Sequence, residues 1–203
     1  MSSSQEQPPT ANIVPEPLGA ATTSYILPTN TRLYFAYGSN LSPTQMSSRC
    51  PSSSFVGLAR IPGYKFIINA RGYANVVPVP ATSTINSTTT EEEGVIGVLY
   101  EISEEDEDRL DGYEGVPWAY EKVEIGCFLL EDESRGGKGE EEEKEVKVLV
   151  YIDTLRTKAV PEAIRQEYVG RMNRGIEEAM GLGMPEGYVE GVLRGFIPVE
   201  EGS

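Results

Sequence analysis

Glu114 stands in Leu110-Asp111-Gly112-Tyr113-Glu114-Gly115-Val116-Pro117, a carboxylate beside two glycines and a proline, with Tyr113, Val116, Trp118 and Tyr120 around it. Apolar and aromatic neighbours that strip water from a carboxylate raise its pKa toward neutrality, the condition for a general acid and base. The nearby acids Glu104 to Asp108 push the same way. An isolated glutamate in a loop is more often an ordinary solvated side chain. The second segment is Tyr37-Gly38-Ser39-Asn40-Leu41, where an apolar strand meets a glycine turn and then a helix start. Backbone N–H groups at such a junction point outward unpaired and can hold a carboxylate or a developing oxyanion. The same pattern also makes a plain strand-to-helix turn.

The rest of the composition narrows the chemistry. The 203 residues contain no histidine, so Ser-His-Asp and Cys-His catalysis, His-ligated zinc and a His pH switch are excluded. Cys50 and Cys127 are far apart, and neither has the Cys-x-x-Cys spacing of a zinc ribbon or an iron–sulfur site. Two thiols without a disulfide framework fit a reducing compartment. Gly181-Leu182-Gly183-Met184 follows a helical stretch and lacks the third glycine of a dinucleotide fingerprint; Gly136-Gly137-Lys138-Gly139 lacks the Ser or Thr of a phosphate loop. Proton chemistry would fall to carboxylates, tyrosines, lysines and backbone amides.

Seventeen basic and 32 acidic side chains give a net charge of −15, and its distribution is uneven. Glu91 to Glu145 holds 21 acids against 5 bases, whereas Pro17 to Thr90 holds no acid at all. Nucleic acid, which needs a basic face, is not an expected partner. No apolar run reaches the roughly 18 residues of a membrane span, and the first thirty residues lack the order of a secretory signal. The expectation is a cytoplasmic protein without membrane contact, in which the glycosylation sequons at Asn40 and Asn86 arise by chance.

The elements that must position these groups read clearly. Residues 1–30, rich in Ser, Pro and Thr, read as a flexible arm, 31–199 as one domain and 200–203 as a tail. The acidic stretch at about 131–146 reads as a solvated hairpin insertion. Strands are expected at 32–37, 55–60, 64–69, 74–79, 95–102, 122–130 and 146–152. Ser42 followed by Pro43 starts a short helix toward Arg49, and Ser103 with Asp106 caps another ending near Leu110. Pro161 opens a longer helix with Ile164, Tyr168, Met172, Ile176 and Met180 on one face, read as core. Pro185 starts a last one, carrying Tyr188, Val189, Val192 and Leu193. Strands in succession with helices late predict an α+β fold, a mixed but mostly antiparallel curved sheet or small barrel flanked by helices.

Tyr34-Phe35-Ala36-Tyr37-Gly38-Ser39-Asn40-Leu41, together with the Glu114 segment and a tyrosine soon after it, resembles the gamma-glutamylcyclotransferase family from about Arg32 to Pro198. Tyr-Gly-Ser-Asn-Leu is similar to the branch acting on γ-glutamyl amino acids. The resemblance implies release of 5-oxoproline: the substrate's α-amine attacks its own γ-carbonyl, and an amino acid or amine departs. It implies Glu114 as the catalytic acid and base, Tyr34, Phe35, Ala36, Tyr37, Gly38, Ser39 and Asn40 as the substrate loop, with amides near Gly38 and Ser39 on substrate oxygens, and Tyr120 and Tyr151 as substrate-contacting tyrosines. No metal or organic cofactor is implied, and the partner is the small γ-glutamyl substrate. Relatives are often homodimers, although the residues themselves give no sign of an interface. Departures are the N-terminal arm, the acidic insertion and the stretch from Ala81 to Thr90. Two other readings remain open: a non-catalytic module that holds a carboxylate-bearing ligand on the same scaffold, and a cyclotransferase acting on a γ-glutamylated biosynthetic intermediate.

Overall fold

A computed structural model describes residues 30–80, 94–130 and 145–200. The expected N-terminal arm and tail, the 81–90 stretch and nearly all of the acidic insertion lie outside these described residues.

All seven expected strands are present, within about two residues of their expected ends: β1 (Thr31–Ala36), β2 (Ser54–Ile61), β3 (Tyr64–Ile68), β4 (Ala74–Pro78), β5 (Val95–Ser103), β6 (Glu121–Leu129) and β7 (Glu145–Ile152). Five of them close a barrel in the order β1-β5-β2-β6-β7. Each neighbouring pair is antiparallel except the seam, where Tyr34 of β1 lies opposite Leu149 of β7 in parallel. The fold is α+β, as expected. Strands β3 and β4 form a separate hairpin. It is docked on the end of β7 through Asp153, a buried carboxylate that accepts from Asn69 Nδ2 at 3.0 Å and pairs with Arg156 at 3.1 Å. Asn75 exchanges two further hydrogen bonds with the Asp153 backbone.

The interior is filled by Phe35, Leu41, Met46, Ile61, Leu99, Leu110, Leu149 and Met172, all essentially without solvent contact. Gly97 on β5 leaves room for the Phe35 ring, since a Cβ there would come within 2.6 Å of it.

Among the described residues four α-helices accompany the barrel. Helix α1 (Pro43–Arg49) starts as expected, with Ser42 Oγ accepting from the Gln45 amide at 3.0 Å. Helix α2 (Glu104–Glu114) is capped by Ser103, and the four acids of its first turn match the positive end of the helix dipole. It corrects the expected end near Leu110: Glu114 is the last residue of this helix, not part of a loop. Gly112 does not break it, and the chain leaves only at Gly115, whose φ of 66° suits glycine. The helix expected from Pro161 is also shorter than its pattern. Pro161 to Ala163 makes a single 3-10 turn, and α3 runs Gln166–Gly181. Its buried face is Tyr168, Val169, Met172, Gly175, Ile176 and Ala179, whereas Met180, expected on that face, is 40% exposed. The last helix, α4 (Glu186–Tyr188), passes into a wider π-type turn at Val189–Leu193. Among the described residues no helix is long and apolar enough to cross a membrane.

Candidate active site

Strand β1 delivers Tyr34 and Tyr37 to one end of the barrel, and a 3-10 turn, Ser39–Leu41, follows before α1 begins. Helix α3 packs against this turn closely enough that a Cβ on Gly175 would lie 3.2 Å from Leu41 Cβ. Glu178 of the same helix accepts from Ser42 Oγ at 2.8 Å and from the Thr44 amide at 3.0 Å, tying the start of α1 to α3.

Asn40 is oriented from two sides. Its side-chain oxygen accepts from Gln45 Nε2 at 2.8 Å and Arg49 Nη1 at 2.9 Å, so its NH2 group faces Tyr34 Oη at 2.9 Å and Glu114 Oε1 at 3.3 Å. Arg49 lies 3.9 Å from the same carboxylate oxygen and over the Tyr113 ring at 4.7 Å. The Glu114 side chain is 18% exposed. Burial pushes its carboxyl above the ordinary glutamate value, against the opposing pull of Arg49, Arg171, the Asn40 hydrogen bond and Arg71.

What aims Glu114 is the face of α2 that it shares with Glu107 and Asp111, one turn apart. Lys122 of β6 bonds both acids, at 2.9 and 2.8 Å, and Arg32 of β1 bonds Glu107 at 3.1 Å. Asp111 also accepts the Tyr151 hydroxyl proton at 2.7 Å, and Tyr37 donates to the Tyr151 carbonyl oxygen. Three barrel strands, β1, β6 and β7, and the helix are thereby fixed around one cavity.

That cavity has a volume of about 210 Å3. Of the residues expected at a site, Tyr34, Tyr37, Gly38, Ser39, Asn40, Glu114, Tyr120 and Tyr151 line it. Phe35 and Ala36 do not: both are fully buried in the barrel. The Ser39 amide, expected to bond a substrate oxygen, donates to Tyr168 Oη at 3.3 Å. Tyr168, expected as core, is in the cavity wall.

Sequence reasoning also missed Arg49, Arg71, Tyr73 and Arg171, which with Ala74 and Tyr113 complete the lining. Arg71 sits on the β3–β4 turn, with its guanidinium 5.3 Å from the Tyr120 ring centre and 3.7 Å from Asp153. Arg171 lies over the Tyr168 ring at 5.0 Å and pairs with Glu167 at 3.0 Å. Glu114 is the one acid among three arginines in this lining. Among the described residues no group of three or more Cys, Asp and Glu could hold a metal ion.

The sequence profile of the family described as "Gamma-glutamyl cyclotransferase, AIG2-like" matches residues 34–167, which include every cavity-lining residue except Tyr168 and Arg171. The chain belongs to this family. A comparison with curated proteins gives no match. A solved gamma-glutamyl cyclotransferase shares 24% identity and a TM-score of 0.62, over 85% of this chain and 92% of that one. An uncharacterized human protein gives the same identity and TM-score over 86% and 92%. A yeast gamma-glutamyl cyclotransferase specific to glutathione gives 15% identity and a TM-score of 0.51, over 81% and 96%. These likenesses establish the cyclotransferase fold for this chain, and the family match extends over both the Tyr34–Asn40 turn and Glu114.

Proposed function

We propose that the protein releases 5-oxoproline from γ-glutamyl amino acids by intramolecular acyl transfer. The observation that carries this reading is Glu114, a carboxyl with a raised pKa at the wall of a small polar cavity, held by Asn40 and Arg49. The ionised Glu114 takes a proton from the substrate α-ammonium. The freed nitrogen attacks the γ-carbonyl carbon, forming the ring C–N bond and a tetrahedral centre. Protonation of the departing nitrogen by Glu114 breaks the original amide C–N bond. Over the whole reaction the attacking nitrogen loses two protons and the leaving nitrogen gains two, so no external reagent is consumed. The attack is already unimolecular, and the cavity contributes by holding the amine against the carbonyl.

Tyr151 suits the ammonium. Its proton is committed to Asp111, so its oxygen faces other groups as an acceptor. The raised pKa of Glu114 fixes the sign of the pH dependence. Below that pKa the carboxyl is protonated and cannot act as base, so kcat/KM falls on the acid side with a midpoint above 4.5, the ordinary glutamate value. An acid limb at or below that value would count against Glu114 as the base.

The arginines favour an amino acid over a neutral amine as the leaving group. In a molecule of net charge −15, a cavity lined by three guanidinium groups and one carboxylate is a local positive site. It suits a substrate with two carboxylates, one on the glutamyl part and one on the leaving amino acid. The test is 5-oxoproline release from γ-glutamyl-alanine, glutathione and γ-glutamyl-butylamine. The expected kcat/KM for γ-glutamyl-alanine exceeds that of the amine at least tenfold, the worth of one charge-assisted hydrogen bond of about 1.5–3 kcal/mol. Equal rates would remove the carboxylate assignment, and no 5-oxoproline from any of the three would remove the activity.

A further inference from the structure

The tyrosines around the cavity differ in where their hydroxyl protons go. Tyr37 donates to the Tyr151 carbonyl oxygen, Tyr120 to the Ala74 carbonyl at 2.8 Å, Tyr151 to Asp111 at 2.7 Å and Tyr73 to Glu167 at 3.0 Å. Those four protons are committed. Tyr34 and Tyr168 are the buried pair whose oxygens act as acceptors, from Asn40 Nδ2 at 2.9 Å and from the Ser39 amide at 3.3 Å, and neither proton meets an acceptor among the described residues.

Tyr34 belongs to the Glu114 end of the cavity, because Asn40 bonds both. Tyr168 hangs on the preceding residue of the same turn. We propose that Tyr168 is a catalytic residue whose O–H donates to the γ-carbonyl oxygen of the substrate as that oxygen takes up the negative charge of the tetrahedral centre. No proton is transferred in this contact. The C=O π electrons move onto oxygen when the amine adds, the hydrogen bond strengthens, and both revert when the leaving nitrogen departs. This assignment rests on the cyclotransferase reading above.

The geometry gives the donor a fixed aim before reaction, the condition under which such groups matter most. The Tyr168 ring is 5% exposed and stands edge-on to Tyr73 at 5.1 Å, with Arg171 over it at 5.0 Å. Its oxygen lies against the loop backbone: a Cβ on Gly38 would be 2.8 Å from it. An N–H donated to the phenol oxygen polarises the O–H and makes it a better donor. Burial holds the hydroxyl above the ordinary phenol pKa, so the proton is in place at neutral pH. The Ser39 amide thus serves the substrate through the tyrosine.

The test compares full-length wild type with Tyr168→Phe. The expected result is a kcat lowered by about 10²–10³-fold, the effect of removing one such donor, with KM changed by less than about threefold. The acid limb set by Glu114 should stay where it is in wild type, which a general collapse of the cavity would not allow. A kcat within about threefold of wild type overturns the proposal. Should Tyr168→Phe fail to fold, Gly38→Ala decides: it displaces the hydroxyl while keeping the ring, so an unchanged kcat overturns the proposal and a comparable loss upholds it. If wild type releases no 5-oxoproline, the cyclotransferase reading fails separately. Calorimetric binding of 5-oxoproline itself, whose lactam carbonyl occupies the same place, then decides. Affinity about fivefold weaker in Tyr168→Phe upholds the donor, while equal affinity, or no binding by wild type, overturns it.

Discussion

Glu114→Gln should fold, bind a γ-glutamyl dipeptide and turn it over about 10²–10⁴-fold more slowly than wild type, the range for loss of a general acid and base. The amide keeps the shape of the carboxyl and can still meet Asn40, but it cannot take a proton from the α-ammonium. The same change should leave the melting temperature at pH 7 equal to or above that of wild type. A carboxyl whose folded pKa is raised stabilises the fold fully only below its unfolded pKa, and that contribution is lost as pH rises through the folded one. At pH 7 the ionised Glu114 is therefore a cost to folding that a neutral side chain removes. The melting temperature, followed with 5-oxoproline release, separates the two effects. Near-native turnover would show that another group handles the proton, and a lower melting temperature would show that the Arg49 contact outweighs burial.

Gly72→Ala should be the most damaging single-methyl substitution near the site. Gly72, on the β3–β4 turn between Arg71 and Tyr73, has φ of 84°, and a Cβ there would lie 2.2 Å from the Ala163 carbonyl oxygen and 3.1 Å from the Arg165 amide nitrogen. Both neighbours are backbone and cannot swing aside. Gly63 supplies the control, since its φ of 71° is similar but its Cβ position has nothing within 4 Å. Gly63→Ala should therefore cost about 1–2 kcal/mol, the left-handed penalty alone. Gly72→Ala adds the displacement of the hairpin from the segment leading into α3, and should lower the melting temperature by roughly 5–10 °C, against about half that for Gly63→Ala. It should also reduce activity, because Arg71, Tyr73 and Tyr168 approach the cavity from the two sides of this contact. Equal melting temperatures for the two variants would show that the close approach carries no energy.

The strands were legible because aromatic and β-branched runs end at Gly, Pro or Ser clusters, and the barrel keeps those ends. Gly112 reads as a breaker, but an exposed helical glycine costs only about 1 kcal/mol, which the Ser103 cap, the acids of the first turn and the Lys122 contacts offset. Pro161 reads as a helix start, but the chain first hands the Arg165 amide to the Gly72 carbonyl oxygen, at 3.3 Å, and α3 begins only after it. The place of Glu114 in the cavity wall was legible, since a carboxylate among aromatic neighbours is a local fact. Tyr168 was not, because an aromatic at helical spacing looks the same whether its ring faces core or cavity. Arg71 lies on a hairpin turn and Arg49 at the end of a short helix, positions where a cation ordinarily meets water. Only the docking of the hairpin through Asp153 and the packing of α1 on α3 bring them inward.

The parallel seam between β1 and β7 has a consequence for how the molecule comes into being. Tyr37 and Tyr151, joined by a hydrogen bond at that seam, are 114 positions apart, and Ser39 and Tyr168 are 129 apart. Contacts of such separation close large loops and form slowly, after local hairpins such as β3–β4. No part of the cavity wall is complete within one half of the chain. On the ribosome the cavity is therefore incomplete until Tyr168 and Arg171 of its wall have emerged.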